Sequence, residues 1–273
     1  MIKNTKYSVI SFIKSVYIFF EEISFKLIPT RQCTRNEIKY KLDLNEVIDF
    51  AIYKQGKWEK YTHKFLETFI KKNDIVLEIG ANIGAHTLTI AKIIGEKGLV
   101  HAFEPSEYAH KKLKKNIELN PSLQTNIILN KKLVSNSKKI ILNNQIRSSW
   151  LRDKNKLKKQ EKLNSNLEII SIDEYVKRNN LKKISMIKID VDGYDFKVLS
   201  GSINTIKKFK PIIFIELSEV CLNKQGDTVS DIYNFLSKLN YKLYCDKTHK
   251  LMELKDVYNN LSNISSINGI FIN

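Results

Sequence analysis

Four short stretches of this 273-residue sequence hold residue types that could do chemistry. The first is Glu78-Ile79-Gly80-Ala81-Asn82-Ile83-Gly84-Ala85-His86, and the second is Val100-His101-Ala102-Phe103-Glu104-Pro105. The third is Lys188-Ile189-Asp190-Val191-Asp192-Gly193, and the fourth is an apolar run ending at Glu216. Glycines at 80 and 84 let a strand bend sharply into a helix. They also let a ligand approach main-chain N–H groups without a Cβ in between. The spacing is G-x-x-x-G, not the G-x-G-x-x-G of dinucleotide sites. That dinucleotide pattern lays a helix N-terminus open to a pyrophosphate. The present bend suits a ligand that has a ribose but no phosphate, such as S-adenosylmethionine. Glu104 ends a strand about twenty residues beyond the bend, where an acid accepts hydrogen bonds from both ribose hydroxyls. The bland reading of Glu104 is a solvated loop carboxylate or a charge at a helix start. Pro105 ends the strand firmly. Glu78, Gly80, Ala81, Asn82, Gly84, Glu104 and Pro105 form the candidate cofactor set, with Glu78 supporting the ligand's amino-acid end.

Asp190, Asp192 and Glu216 follow two further strands and are the candidate catalytic acids. A carboxylate can take the proton that a hydroxyl loses as it attacks a methyl group. The same oxygens could instead hold Mg²⁺ or Mn²⁺, which acidifies a hydroxyl. A third reading is a structural network of acids with Lys188. That lysine lies within an apolar strand and needs a partner, with Asp190 or Glu216 the natural choice. His86, at the start of the helix after the glycine bend, is a rival base. His101 reads as packing, and His63, His110 and His249 as surface positions. Trp150 and Arg152 could flank a sugar ring or an adenine, or be ordinary surface residues.

The elements that must position these residues alternate strand and helix from Asp74 onward. Strands are expected at Ile75–Ile79, Leu99–Phe103, Asn126–Leu129, Lys138–Leu142, Leu167–Ser171, Ile184–Asp190 and Ile212–Glu216. Tyr241–Cys245 and Ile267–Ile272 are expected to close the sheet as an antiparallel pair. Such alternation implies a mainly parallel sheet covered on both faces. Ligands then sit at the carboxyl ends of strands, where the strand order reverses. Residues 1–70 read as a mainly helical extension and 71–273 as the main domain. Within the extension, Val9, Ile10, Ile13, Val16, Tyr17 and Phe20 fall on one side of a helix. That helix, over 7–28, either packs on the domain or on a second copy of the chain, or lies in a membrane surface, helped by Phe19 and lysines.

An apolar share of 42% is enough for a substantial core, and the formal charge is +17. Only five of the 46 basic residues are arginine, the residue that reads phosphate closely. Compositional bias therefore explains the charge better than a nucleic-acid surface does. Three widely spaced cysteines form no C-x-x-C pair, so neither a zinc site nor a disulfide framework is indicated. A reducing, cytoplasmic setting is expected.

Taken together, the motifs resemble the FkbM-type methyltransferases. The matching stretches are Val76 to Gly84, Ala102 to Pro105, Asn116-Ile117 with Asn120, and Ser171-Ile172-Asp173-Glu174-Tyr175. They continue through Lys188 to Gly193 and Val198-Leu199-Ser200-Gly201, and close with Pro211 to Glu216. The resemblance covers roughly residues 55–273. It implies a Rossmann-like class I methyltransferase fold with a mostly parallel seven-stranded sheet and helices on both faces. It also implies S-adenosylmethionine as cofactor and O-methylation of a sugar or sugar-containing metabolite or glycan. The family's Asp-Val-Glu-Gly-x-Glu reads Asp190-Val191-Asp192-Gly193-Tyr194-Asp195 here, so two carboxylates are each one methylene shorter. A base-modifying RNA methyltransferase is a rival reading, but its Asn/Asp-Pro-Pro-Tyr is replaced here by Asp-Val-Asp-Gly. A non-catalytic cofactor-binding or membrane-associated protein is another. A nicotinamide dehydrogenase conflicts with the glycine spacing.

Overall fold

The computed structural model describes residues 15–16, 21–25, 27–136, 145–147, 150–153, 160–162, 167–262 and 264–273. Most of the apolar segment Tyr7–Phe20 and the strand expected at Lys138–Leu142 lie outside them.

In chain order, a hairpin of β1 (Thr30–Arg35) and β2 (Ile38–Asp43) precedes helices α1 (Val47–Gln55) and α2 (Lys60–Phe69). The main sheet then begins with β3 (Ile75–Ile79), α3 (Ala85–Ile94), β4 (Leu99–Phe103), α4 (Glu107–Glu118), α5 (Pro121–Gln124) and β5 (Ile127–Asn130). Short strands β6 (Leu133–Val134), β7 (Gln145–Arg147), β8 (Gln160–Lys162) and β9 (Ile169–Ile170) lead to α6 (Ile172–Arg178). The second half contains β10 (Met186–Ile189), α7 (Asp195–Ser200), α8 (Ile203–Phe209), β11 (Ile212–Leu217), α9 (Glu219–Asn223) and α10 (Val229–Ser237). It closes with β12 (Lys242–Cys245), β13 (Leu251–Met252), α11 (Leu254–Leu261) and β14 (Ile267–Ile272).

The main sheet has eight strands in the order β13-β12-β14-β11-β10-β3-β4-β5. The run from β11 to β5 is parallel, and β14, β12 and β13 add antiparallel pairs at one edge. This is a doubly wound, Rossmann-like sheet, with the reversal of strand order between β3 and β10. The eighth strand is the two-residue β13, too short to stand out in the sequence. The expected strand at Leu167–Ser171 shrinks to β9, which pairs with β6 outside the main sheet.

Side chains alternate across the sheet, so residue parity sorts them into two layers. Val76, Val100, Met186, Phe214 and Ile270 pack with Phe65 and Leu66 of α2 and Ile90 and Ala91 of α3. Leu77, Ile187, Ile189, Ile213 and Ile215 pack on the other face with Val198, Ile206 and Ile232. Continuing the first set toward the carboxyl ends of the strands brings up Glu78, Lys188 and Glu216. The residues that could do chemistry thus sit on the face covered by α2 and α3.

Where a mainly helical extension was expected, Thr30–Asp43 is a hairpin. Its turn residues Asn36 and Glu37 both have positive φ (49° and 64°), as a tight two-residue hairpin turn requires. Ile38, Tyr40 and Leu42 are buried and alternate with exposed Lys39 and Lys41. The hairpin is bound to the domain by α4. Asn120 accepts from the Lys39 N–H and donates to the Lys39 carbonyl. Asn116 accepts from the Lys41 N–H and donates to the Ile83 carbonyl. Fully buried Asn116 therefore braces the edge of β2 against the glycine bend.

The exposed side of the chain's start is apolar, with Leu27 76% and Ile28 62% exposed, while Phe25 is buried against Phe50 and Tyr53. Among the described residues no helix is long and apolar enough to cross a membrane.

Replacing Asn116 with Ala leaves the Lys41 N–H and the Ile83 carbonyl buried without partners. Urea unfolding is expected to show a loss of about 2–4 kcal/mol. A loss below about 0.5 kcal/mol would show that the brace is not structural.

Candidate active site

The bend after β3 is held by close main-chain contacts. The N–H groups of Gly80 and Ala81 both donate to the Phe103 carbonyl at 3.0 Å, and that of Asp190 donates to the Ile79 carbonyl at 3.1 Å. Gly80 has φ +88°, and a Cβ there would lie 1.9 Å from the Asp190 carbonyl oxygen. Only glycine lets the ends of β3 and β10 come this close. Gly84 is also left-handed, and its missing Cβ leaves room for Leu113. Asn82 takes φ +46° between them.

Glu104 stands at this bend. One carboxylate oxygen accepts from the Asn82 N–H at 2.9 Å. The other accepts from the N–H and the hydroxyl of Ser106, at 2.9 and 2.6 Å. These bonds fix the plane of a carboxylate that is 6% exposed. The loop N–H groups orient Glu104 and close the strand ends, so those of Gly80, Ala81, Asn82 and Gly84 are already engaged. Pro105 follows directly and leads into α4. The fit to a ribose-bearing ligand rests on this orientation and on the tight bend beside it.

Lys188 lies at the centre of the sheet, 1% exposed, with Glu78 as its register partner on β3. Its Nζ contacts Asp190 Oδ2 at 3.0 Å. Burial disfavours the ammonium, but Asp190, Glu78 and Glu59 outweigh it and raise the Lys188 pKa. Glu78 is buried and accepts from the Thr87 hydroxyl at 2.6 Å. Burial pushes its pKa up, against the pull of Lys188 and His86.

The three acids named from the sequence do share one electrostatic environment. Glu216 is pushed up to about 8, by burial first and then by Asp190, Asp195 and Asp192. Asp190 is partly exposed, and Asp192 is exposed in a left-handed turn at φ +51°. Asp195 is a loop clasp: fully enclosed, it accepts from the N–H groups of Val191 at 3.2 Å and Gly193 at 2.9 Å. Burial first, and Asp190 next, push it up to about 7. Among the described residues no three His, Cys, Asp or Glu side chains are grouped closely enough to share a metal ion. Asp190, Asp192 and Glu216 thus share one field, in which burial and the neighbouring acids favour the protonated form of Glu216.

The histidines differ in part from expectation. His86 is buried, with Nε2 3.3 Å from Glu59 Oε2. His101 packs inside, its Nδ1 2.8 Å from the Tyr175 hydroxyl. His63 is not a surface residue: it is 7% exposed, because α2 turns this position toward α3 and Thr89. His110 is half-buried and His249 exposed. Arg152 stacks 3.5 Å over the Phe50 ring and bonds to Glu22 and the Leu44 carbonyl. It is thereby committed to the chain's start and not to the bend. Trp150 is 40% exposed, and its carbonyl accepts from the Val47 N–H.

Glu59 had no signal in the sequence. It precedes α2 in a left-handed conformation (φ 49°, ψ 80°). Its Oε2 accepts from the Thr62 hydroxyl at 3.0 Å, and Thr62 in turn accepts from Asn268 at 3.2 Å. Burial would raise the Glu59 pKa, but His86 and Lys188 hold it at about 2. Asn268 is the register partner of Glu216 and also bonds to Asp246.

Asp195 gives the loop a pH dependence with a definite sign. Its native pKa of about 7 lies above its unfolded value of 3.8, so the native state binds the extra proton between those values. Stability from this group is complete below about pH 4 and is lost as pH rises through about 7. Chemical unfolding of wild type and Asp195→Asn at pH 4.5 and 7.5 is expected to show wild type falling relative to the variant by a few kcal/mol. A difference independent of pH would refute the assignment.

Comparison with known proteins accords with this geometry. A family model described as the methyltransferase FkbM domain matches residues 78–243. The hexuronic acid methyltransferase AglP of Haloferax volcanii is 29% identical over 143 residues, 52% of this chain and 56% of that protein. The chain thus spans about half the length of this relative. Fibrillarin of Aeropyrum pernix, solved with S-adenosyl-L-methionine, is 12% identical with a TM-score of 0.46, covering 89% of this chain and 82% of that one. TYW2 of M. jannaschii, solved with AdoMet, is 16% identical with a TM-score of 0.42, covering 89% and 84%. On the family match, which takes in the glycine bend, Glu104, the Asp190 loop and Glu216, the chain belongs to the FkbM methyltransferase family.

Proposed function

We propose that the protein transfers a methyl group from S-adenosylmethionine to a hydroxyl of a sugar or sugar-containing acceptor. The observation that carries this reading is the placement of Glu104 and Asp190 on either side of one bend. Glu104 bonds to Asn82 within the bend, and the main chain of Asp190 touches Gly80. The first acid would hold the ribose, and the second stands where an acceptor hydroxyl would approach. The donor, when bound, supplies an electrophilic methyl on a sulfonium. The protein's task is then alignment and removal of one proton.

Asp190 is suited to that proton. Its carboxylate is partly exposed and is oriented from beneath by the buried Lys188 ammonium. Glu216, its proton retained to about pH 8, can donate a hydrogen bond to an acceptor oxygen. Asp192 at the exposed turn would contact the acceptor's outer part. Glu78 lies beneath the bend and supports the amino-acid end through Lys188 and Thr87. His86, turned toward Glu59, serves as a second-rank base. The sugar class draws on the name of the archaeal relative and on the family resemblance, which is an analogy.

Calorimetry with S-adenosylhomocysteine separates the two halves of the reading. Glu104→Ala is expected to weaken binding at least thirtyfold, while Asp190→Asn keeps it within threefold. With a methylated acceptor in hand, Asp190→Asn lowers kcat by about 10²–10⁴. Unchanged affinity in Glu104→Ala would end the ribose assignment, and unchanged kcat in Asp190→Asn would end the base assignment.

A further inference from the structure

We infer that the segment preceding the β1–β2 hairpin docks the protein on an anionic lipid surface, through an apolar helix side that includes Val16, Ile23 and Leu27, with Ile28 beside it. This surface is independent of the methyl-transfer reading above and adds to it.

In the sequence Val9, Ile13, Val16, Phe20, Ile23 and Leu27 stand four and three residues apart in turn. At about 100° per residue they form one line along a helix. Ile10 and Tyr17 widen that line on one side, and Phe12 and Phe19 on the other. The apolar side then spans roughly half the circumference. Of this stretch, Ser15, Val16, residues 21–25 and Leu27 are described, and all are helical. Exposure follows the pattern. Leu27, at 76%, is the most exposed large hydrophobic side chain among the described residues. Ile28 is 62% exposed, Val16 38% and Ile23 36%.

The domain holds the same segment from the other side. Phe25 falls opposite the apolar line and is buried, meeting Phe50 and Tyr53 edge-on. Glu21 pairs with Lys54 at 2.7 Å, and Glu22 with Arg152 at 3.1 Å. Arg31 donates to the Ser24 carbonyl at 3.2 Å. One side of the helix is thus pinned, and the apolar line is turned outward. Packing on the domain, one of the readings open from the sequence, does not cover these side chains.

Width and charge decide between a second copy of the chain and a membrane. A paired helix needs a narrow seam of about two positions in seven. An apolar half-circumference matches a helix lying in the boundary between lipid headgroups and acyl chains. Residues 1–20 contain Lys3, Lys6 and Lys14 and no acid. The next two acids, Glu21 and Glu22, are taken up by Lys54 and Arg152. Two copies joined along this line would bring lysines together without carboxylates from that stretch to meet them. Anionic headgroups would meet them instead.

The test uses the full chain and two kinds of vesicle, phosphatidylcholine alone and phosphatidylcholine with about 30% phosphatidylglycerol. Flotation is expected to carry the protein with the anionic vesicles at least about tenfold better than with the neutral ones. Binding should fall severalfold at about 0.5 M salt. The double variant Leu27→Ser with Ile28→Ser should bind the anionic vesicles at least about tenfold more weakly. It should keep its affinity for S-adenosylhomocysteine and its thermal midpoint, because both side chains are exposed. Absence of flotation with the anionic vesicles overturns the inference. Flotation that the double variant leaves unchanged also overturns it, since the contact then lies elsewhere. Equal binding to both kinds of vesicle overturns the anionic assignment. Sedimentation velocity without lipid covers the rival: a stable dimer that the double variant dissolves, in a chain that does not float, assigns the apolar line to a second copy.

Discussion

A positive charge in the middle of the sheet constrains the rest of the structure. Lys188 sits on β10 with 1% exposure, between β3 and β11. An ammonium at that depth costs several kcal/mol unless it is paired and hydrogen-bonded. Glu78 alongside, Asp190 one residue pair further up and Glu59 from α2 supply the counter-charge. This fixes more than the strand's stability. It sets the direction of the Asp190 carboxylate, keeps Glu59 ionised against burial, and ties the start of α2 to the sheet. A hydrophobic residue at 188 alone would leave Glu78, Glu59 and Asp190 without their counter-charge, and breaking a buried charge set from one side typically costs about 3–5 kcal/mol. Nor could it orient the acid that stands at the bend.

The same constraint gives a polar group on one layer of an otherwise apolar sheet. The face under α6 to α10 has the continuous apolar packing of a buried parallel sheet. The face under α2 and α3 is apolar only in its lower part, where Phe65 stacks on Phe214 at 4.7 Å. Above that layer come Glu78, Lys188 and Glu216, and facing them His86, Thr62 and Glu59. The helices that cover this face thus have two functions along their length. Their later residues fill the core, and their first residues face the acids.

Much of this was legible in the sequence because it depends on local pattern. Apolar runs ending in glycine or an acid gave β3, β4, β10 and β11, and their spacing gave a parallel sheet. Glu104 followed from its place at a strand end about twenty residues beyond the bend, and strand periodicity marked Lys188 as needing an acid, Asp190 or Glu216, of which the structure pairs it with Asp190. The remainder needed tertiary information. The alternation in Ile38-Lys39-Tyr40-Lys41-Leu42 is a strand signal, but its turn is Asn36-Glu37 rather than a glycine turn. Flanked by helical sequence, it gave way to a helix expectation. The burial of His63 depends on which side of α2 meets α3, and α2 has polar residues on both. Asp195 stood out in the sequence only as a departure from the family's acidic pattern; its bonds to Val191 and Gly193 make it a clasp for the loop. Glu59 lay beyond reach, since its partner His86 is 27 residues away on α3 and the ammonium that acts on it, Lys188, is on β10.

These distances also separate two kinds of positions around the bend. The donor side is built from main-chain contacts, with Gly80 pressed against the Asp190 carbonyl and the first loop N–H groups engaged by Phe103. Nothing larger fits at Gly80, and no side chain can replace those bonds. The opposite rim is built from side chains at element ends, contributed by α2, β12 and β14 as well as by the matched segment. Its members Thr62 and Asp246 are buried, so these side chains are held by their mutual hydrogen bonds as firmly as the bend is held by its main chain. The family match, over residues 78–243, takes in the bend, whereas Glu59 and Asp246 lie outside it and are tied to the sheet by contacts of this chain's own, through His86, Thr62 and Asn268.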